Sequence, residues 1–208
     1  MKNFVFLTTV LLVIASCSST KNISNHGFTS KETKLILNAN SLKPMRVYRI
    51  TNKTDSILLR SKSSHIKPNP KDVVLRRFVN RLYATVTDSK SLGVGIAAPQ
   101  VGILKNIIWV QRFDKENFPF EVYLNPEIME YSKNKQTVRE GCLSIPNRSD
   151  TLNCRSFQIR IEYDTMAGQH KTETVESFTS VIFQHEIDHL NGILYLDHLK
   201  KERNNTKN

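Results

Sequence analysis

Apolar positions along the chain recur with two different periods, and the blocks they form predict both helices and strands. Residues 4–14 are a nearly unbroken apolar run behind Met1-Lys2-Asn3. Such a run has secretory-leader length and falls short of the about 20 residues that a membrane-crossing helix needs. Residues 17–43 are rich in Ser, Thr, Asn and Lys and read as a flexible tether. Residues 45–50 alternate as a first strand, and the polar stretch to residue 69 reads as irregular. Asn69-Pro70-Lys71-Asp72 then carries the marks of a helix start: Asn as cap, Pro in the first position, an acid in the first turn. Leu75, Phe78, Val79, Leu82 and Val86 follow at helical spacing and predict one core-facing helix of about seventeen residues.

A glycine-punctuated loop spans residues 93–102, and strands are expected at 104–111, 120–124, 127–131, 158–163 and 170–175. Ile159, Ile161 and Tyr163 define one face of the fourth of these. A helix capped by Ser177 places Phe178, Val181, Ile182, His185 and His189 on one face, with Phe183, Ile187 and Leu190 apolar on another. Apolar all round, it is predicted to be central and buried, and Asn191-Gly192 supplies its stop. No internal repeat is present. The expected fold class is α+β: a single domain with antiparallel and mixed sheets packed around this central helix.

Composition adds a compartment question. The chain has 208 residues, of which 39% are hydrophobic and 24% charged, which suits one globular domain; its formal net charge is +11. A basic balance fits nucleic acid or an anionic membrane surface, but no stacked-aromatic or zinc-finger pattern accompanies it, so no nucleic-acid partner is expected. The leader ends in Ala15-Ser16-Cys17, which resembles a bacterial lipoprotein signal. That resemblance implies cleavage after residue 16 and a lipid anchor on Cys17, holding the protein on a bacterial membrane outside the cytoplasm, at the periplasmic face or cell surface. The alternative is an ordinary leader with an incidental Cys. Cys154 is then a spare thiol, and a Cys142–Cys154 disulfide is the competing pairing.

The chemistry lies in Gln184-His185-Glu186-Ile187-Asp188-His189. Histidines four apart share one helix face, where a single divalent metal binds both. Glu186, beside the first, is placed to take a proton from a metal-bound water. Two buried histidines with no shared ligand would be costly in a core. Cys142 offers a thiolate, although a lone Cys is as readily a small buried hydrophobe.

Three segments together, Gly93-Val94-Gly95-Ile96-Ala97-Ala98-Pro99-Gln100, Glu140-Gly141-Cys142-Leu143-Ser144 and Gln184-His185-Glu186-Ile187-Asp188-His189-Leu190, resemble the three signature motifs of the peptide deformylase family. The first alone would pass for a phosphate-binding turn; the trio, in the family's order, covers about residues 45–200. The resemblance implies that Cys142, His185 and His189 hold one divalent metal, iron(II) (Fe2+) in much of the family, with Zn2+, Ni2+ or Co2+ as alternatives. It implies Glu186 as proton carrier, with the Gln100 side chain and the Leu143 backbone N–H as donors to the developing oxyanion. Val94 and Gly95 then line the substrate channel, and Glu140 pairs with Arg155. The expected activity is removal of the formyl group from N-formylmethionyl peptides, releasing formate, by a monomer. Competing readings are a zinc endopeptidase and a non-catalytic peptide-binding lipoprotein that contains metal. By this resemblance residues 1–16 are the signal peptide, 17–43 the tether, 44–200 the catalytic domain and 201–208 a basic tail. Two departures from the family pattern stand out: residues 147–154 form a loop one residue longer than common, and Ser156 stands where Pro is frequent. Family members deformylate nascent chains in the cytosol, which sits uneasily with an anchor on Cys17.

Overall fold

Side chains alternate across a central sheet, and that alternation gives each face its own helix. The computed structural model describes residues 27–90 and 93–205. Its strands are β1 (Gly95–Ala97), β2 (Ile107–Gln111), β3 (Phe120–Tyr131), β4 (Lys135–Cys142), β5 (Ile145–Ser156), β6 (Gln158–Asp164) and β7 (His170–Glu176). Five of them pair in the order β1-β2-β3-β6-β7, and β4 and β5 form a separate two-stranded hairpin. The helices are α1 (Ser30–Leu37), α2 (Lys53–Leu59), α3 (Val73–Val86), α4 (Ser177–Leu190) and α5 (Tyr195–Asn205). On β2, Ile107 and Trp109 join the apolar cluster that contains Leu75, Phe78 and Leu82 of α3. Ile108 and Val110 face the other way, into the cluster of Ile182, Phe183 and Ile187 of α4. The period-two pattern thus sandwiches the sheet between α3 and α4.

The protein is one α+β domain, but its sheets are not mixed. Every ladder is antiparallel, and the one parallel contact among the described residues is the isolated bridge between Ser64 and Lys105. Short turns between successive strands favour antiparallel neighbours, since parallel pairing needs a long crossover. The two strands expected at 120–124 and 127–131 are one, β3, with its register broken between Leu124 and Glu127. Asn125 sits in that break at φ 51°. Its amide bonds the N–H of Ile66 at 2.9 Å, the carbonyl of Ile66 at 2.8 Å and Asp164 at 2.8 Å, so the kink is pinned on three sides.

Other boundaries shift for local reasons. Asp72, not Asn69, caps α3, accepting from the N–H groups of Val74 and Leu75 at 2.8 and 3.1 Å. Residues 45–50 join no ladder; Tyr48 and Ile50 instead donate separately to the carbonyls of Gln100 and Ser144. The stretch read as irregular holds α2, capped by Asn52. Glu176, not Ser177, occupies the cap position of α4. Helix α5 continues past residue 200, so the expected basic tail begins inside it.

The tether expected over residues 17–43 is corrected where it is described. Thr29 and Glu32 form a reciprocal capping box, and α1 buries Ile36 and neighbouring Phe28 against α3. Arg81 of α3, 4% exposed, then clasps the end of α1. It donates to the carbonyls of Leu35 and Ile36 at 2.9 and 3.0 Å, to Asn38 Oδ1 at 2.8 Å and to the Lys43 carbonyl at 3.0 Å. A cation at a helix C-terminus also meets the negative end of its dipole. The leader, residues 1–16, and Cys17 lie outside the described residues.

Arg81→Met should therefore release residues 27–46 while leaving the sheet folded, at a cost of roughly 2–4 kcal/mol for charged hydrogen bonds lost and carbonyls stranded. Limited proteolysis followed by mass spectrometry checks this: cleavage should appear between α1 and Met45 before any cut in the sheet.

Candidate metal centre

Helix α4 lies against β1, β2 and the β4–β5 hairpin, and this packing buries the histidine face. His185 and His189 are 9% and 1% exposed, with ring centroids 5.1 Å apart. The hairpin brings Cys142 to them at the end of β4, where Leu143 and Ser144 turn the chain into β5. Cys142 Sγ stands 3.2 Å from His189 Nε2, and the ligating atoms of Cys142, His185 and His189 all fall within 4.8 Å of one another.

Charge holds the group in place. Glu140, two residues before Cys142, accepts from Arg155 Nε at 2.7 Å and Nη2 at 3.0 Å, and its Oε2 lies 2.8 Å from His185 Nδ1. That contact fixes the ring and leaves His185 Nε2 as the nitrogen free to ligate. Arg155 Nη1 also donates to Asp188 at 2.7 Å, and His198 of α5 reaches the same carboxylate at 2.8 Å. Burial alone would raise the Glu140 pKa, but the hydrogen bonds from His185 and Arg155 outweigh it and bring it down to about 2. Burial likewise opposes ionisation of Cys142, yet His189 and His185 draw its thiol well below the usual thiol range. Cys142 and Cys154 are both free thiols. Burial and the neighbouring Glu202 push Cys154 up to about 11, which suits an inert spare thiol.

Two further groups converge. Glu186 is 4% exposed and its Oε2 has no hydrogen-bond partner among the described residues. Burial raises its carboxyl to about 7 against the pull of the two histidines. A Cβ on Gly95 would stand 2.6 Å from Glu186 Oε1 and 2.7 Å from Ile182 Cγ2, so only glycine lets β1 pass this close to α4. Gln100 is 1% exposed; its Oε1 accepts from the Ala97 N–H at 2.8 Å. That bond aims its Nε2 at the cleft, 3.4 Å from Ser144 Oγ and 3.6 Å from Cys142 Sγ.

A cleft of ≈ 500 Å³ opens over these groups. Val94, Gly95 and Leu143 line it, β1 being an edge strand. Sequence reasoning did not single out Arg49, Lys90, Arg139 or Phe178, which also line it, nor His198 behind the histidines. Arg49, Lys90 and His198 sit on segments remote from the motifs, whereas Arg139 shares β4 with Cys142 and Phe178 shares α4 with the histidines, and only the packing of the hairpin against that helix turns these two to one cleft. Three soft and borderline donors around an ionised thiol, with orphaned polar atoms on Glu186 and His189, fit a divalent transition metal.

The family model described as polypeptide deformylase matches residues 47–205. A peptide deformylase from Desulforudis audaxviator is 37% identical over 155 residues, 74% of this chain and 94% of that protein. One from Thermotoga maritima is 36% identical over 154 residues, 74% and 87% of the two chains. Among solved structures, the Thermotoga maritima peptide deformylase superposes with a TM-score of 0.65 at 30% identity, covering 74% of this chain and 97% of that one. The Acinetobacter baumannii class I type b peptide deformylase with Met-Ala-Ser bound gives 0.65 at 31% identity, covering 74% and 98%.

These matches correct one expectation. The anchored position outside the cytoplasm rested on the resemblance at Cys17, whereas the matched family works on nascent chains in the cytoplasm. Among the described residues, no helix is long and apolar enough to cross a membrane.

Glu140→Gln removes the charge that orients His185, and should weaken metal affinity about 10- to 100-fold in a competition titration with a chromophoric chelator. The same carboxyl has a pH signature in metal-free protein. Its folded pKa lies below the ordinary 4.5, so its stabilisation is present above that value and is lost as pH falls towards 2. Roughly 3 kcal/mol is at stake. Urea midpoints of wild type should fall across that window, and those of Glu140→Gln should fall less.

Proposed function

The chain belongs to the polypeptide deformylase family, and from that premise we propose how its own residues carry the reaction. The protein is a peptide deformylase, a hydrolase that removes the formyl group from N-formylmethionyl peptides and releases formate. Cys142, His185 and His189 hold one divalent metal, iron(II) in our reading, because a thiolate beside two imidazoles suits it. When bound, that metal supplies a Lewis acid for the formyl carbonyl and lowers the pKa of a water.

The protein groups do the rest. Glu186 takes the proton of the attacking water and returns it to the departing amine. A carboxyl poised near 7 can hold and release that proton at neutral pH. As the formyl carbon becomes tetrahedral, negative charge gathers on its oxygen, where Gln100 Nε2 and the Leu143 N–H donate. Neither donor has to reorganise: Ala97 fixes the Gln100 amide, and the hairpin turn fixes Leu143. Val94 and the Gly95 backbone, at the start of the edge strand β1, align the peptide. Glu140, held by Arg155, keeps His185 oriented throughout.

The observation that carries this reading is the buried Glu186, with its Oε2 unpartnered among the described residues, beside the converging ligand atoms of Cys142, His185 and His189. Membership of the deformylase family favours this reading over the endopeptidase and non-catalytic alternatives. The test is formate release from formyl-Met-Ala-Ser by protein loaded anaerobically with iron or nickel. Glu186→Ala should lower kcat about 10²- to 10⁴-fold with little change in KM. Gln100→Ala should lower it about 10²- to 10³-fold, as loss of one oxyanion donor does. Equal rates in wild type and Glu186→Ala would contradict the assigned proton carrier.

A further inference from the structure

We propose that the mouth of this cleft selects formyl peptides that carry a carboxylate a few residues beyond the formyl-methionine. The inference rests on the deformylase reading of the same site and adds the class of substrate. Among the described residues, four cations line the cleft, each from a different element: Arg49 on the extended segment before α2, Lys90 on the loop after α3, Arg139 on β4 and Arg148 on β5. All four side chains are exposed.

Their partners decide what they are for. Arg148 is paired with Asp150 at 2.7 Å. Arg139 donates to a neutral hydroxyl, Ser149 Oγ, at 2.8 Å. Among the described residues neither Arg49, Lys90 nor Arg139 forms an ion pair. Among the described residues, the only acids that line the cleft are Glu140 and Glu186, and both are buried in the floor. Glu140 is already committed to Arg155 and His185. The mouth therefore carries unneutralised positive charge around a walled cavity, an arrangement that focuses the field on an entering anion.

A ligand that leaves its formyl end beside Glu186 must trail the rest of its chain past this mouth. A carboxylate there finds guanidinium groups that suit bidentate pairing, whereas an ammonium meets only like charge. Two sources offer the same chemistry: the side chain of a downstream Asp or Glu, and the free C-terminus of a very short peptide.

Four substrates separate them, each assayed by formate release with metal-loaded protein. They are formyl-Met-Ala-Ser as the free acid, the same peptide as its neutral amide, and formyl-Met-Ala-Asp amide and formyl-Met-Ala-Lys amide. The free acid and the Asp amide should exceed the neutral amide in kcat/KM on the order of tenfold, mainly through KM, and the Lys amide should fall below it. A gain for the free acid alone assigns the mouth to peptide C-termini; a gain for both assigns it to carboxylates in general. The differences should collapse in about 1 M salt, where the screening length is about 3 Å. In Arg49→Glu and Arg139→Glu, the ratio of Asp to Lys substrate should fall towards one or invert. Equal kcat/KM for all four peptides overturns the proposal and leaves the deformylase reading intact. So does a preference that survives both high salt and both charge reversals. A protein that releases no formate even from the neutral amide overturns the deformylase reading, and this inference with it.

Discussion

Burying Glu140 beside an imidazole pair and a thiol is costly unless its charge is met on every side. Arg155 meets it with two hydrogen bonds, and its third contact, to Asp188, ties that pair to the helix carrying both histidines. The carboxylate in turn holds His185 through Nδ1. One buried guanidinium, 3% exposed, thus ties, from β5, the strand β4 that carries Cys142 to the helix α4 that carries both histidines. The same interaction fixes geometry and charge together. An ion pair of this kind contributes little net stability over a well-packed apolar substitute, and its use here is in orientation.

Around that tie, backbone constraints set the remaining distances. Gly95 lets an edge strand run against Glu186 with no side chain between them, so the cleft is narrow where the acid is. Gln100 lies on a single 3-10 turn, and its carbonyl oxygen folds back on Ala97, which commits its amino group to the cleft. The β4–β5 hairpin carries Cys142 at one end and the cationic side chains of Arg139 and Arg148 beside it. The element that delivers the thiolate therefore also shapes the cleft mouth.

Much of the site was legible because its chemistry is encoded in short strings. His185 and His189 are one helical turn apart, and helical periodicity alone puts them on one buried face. Helix α3 was legible for the same reason, apart from its cap. The hairpin was not: β4 and β5 are polar on much of their surface and lie outside the main sheet, so their alternation carried little signal. Helix α1 was hidden by its Ser, Thr and Lys content, though Thr29 and Glu32 have capping-box spacing. The cleft cations were illegible for a different cause, since only the tertiary fold brings Arg49, Lys90 and Arg139 together. At the other end, Cys17 carried a persuasive local pattern that pointed to a compartment the family does not share.

The central claim is that Cys142, His185 and His189 act as one ligand set. Cobalt(II) titration of metal-free protein, followed by absorption spectroscopy, tests it most directly. The account predicts one cobalt per chain with a sulfur-to-cobalt charge-transfer band in the near ultraviolet, and loss of that band in Cys142→Ser while the fold, by circular dichroism, persists. A band unchanged in Cys142→Ser, or cobalt bound with no sulfur signature, would contradict it.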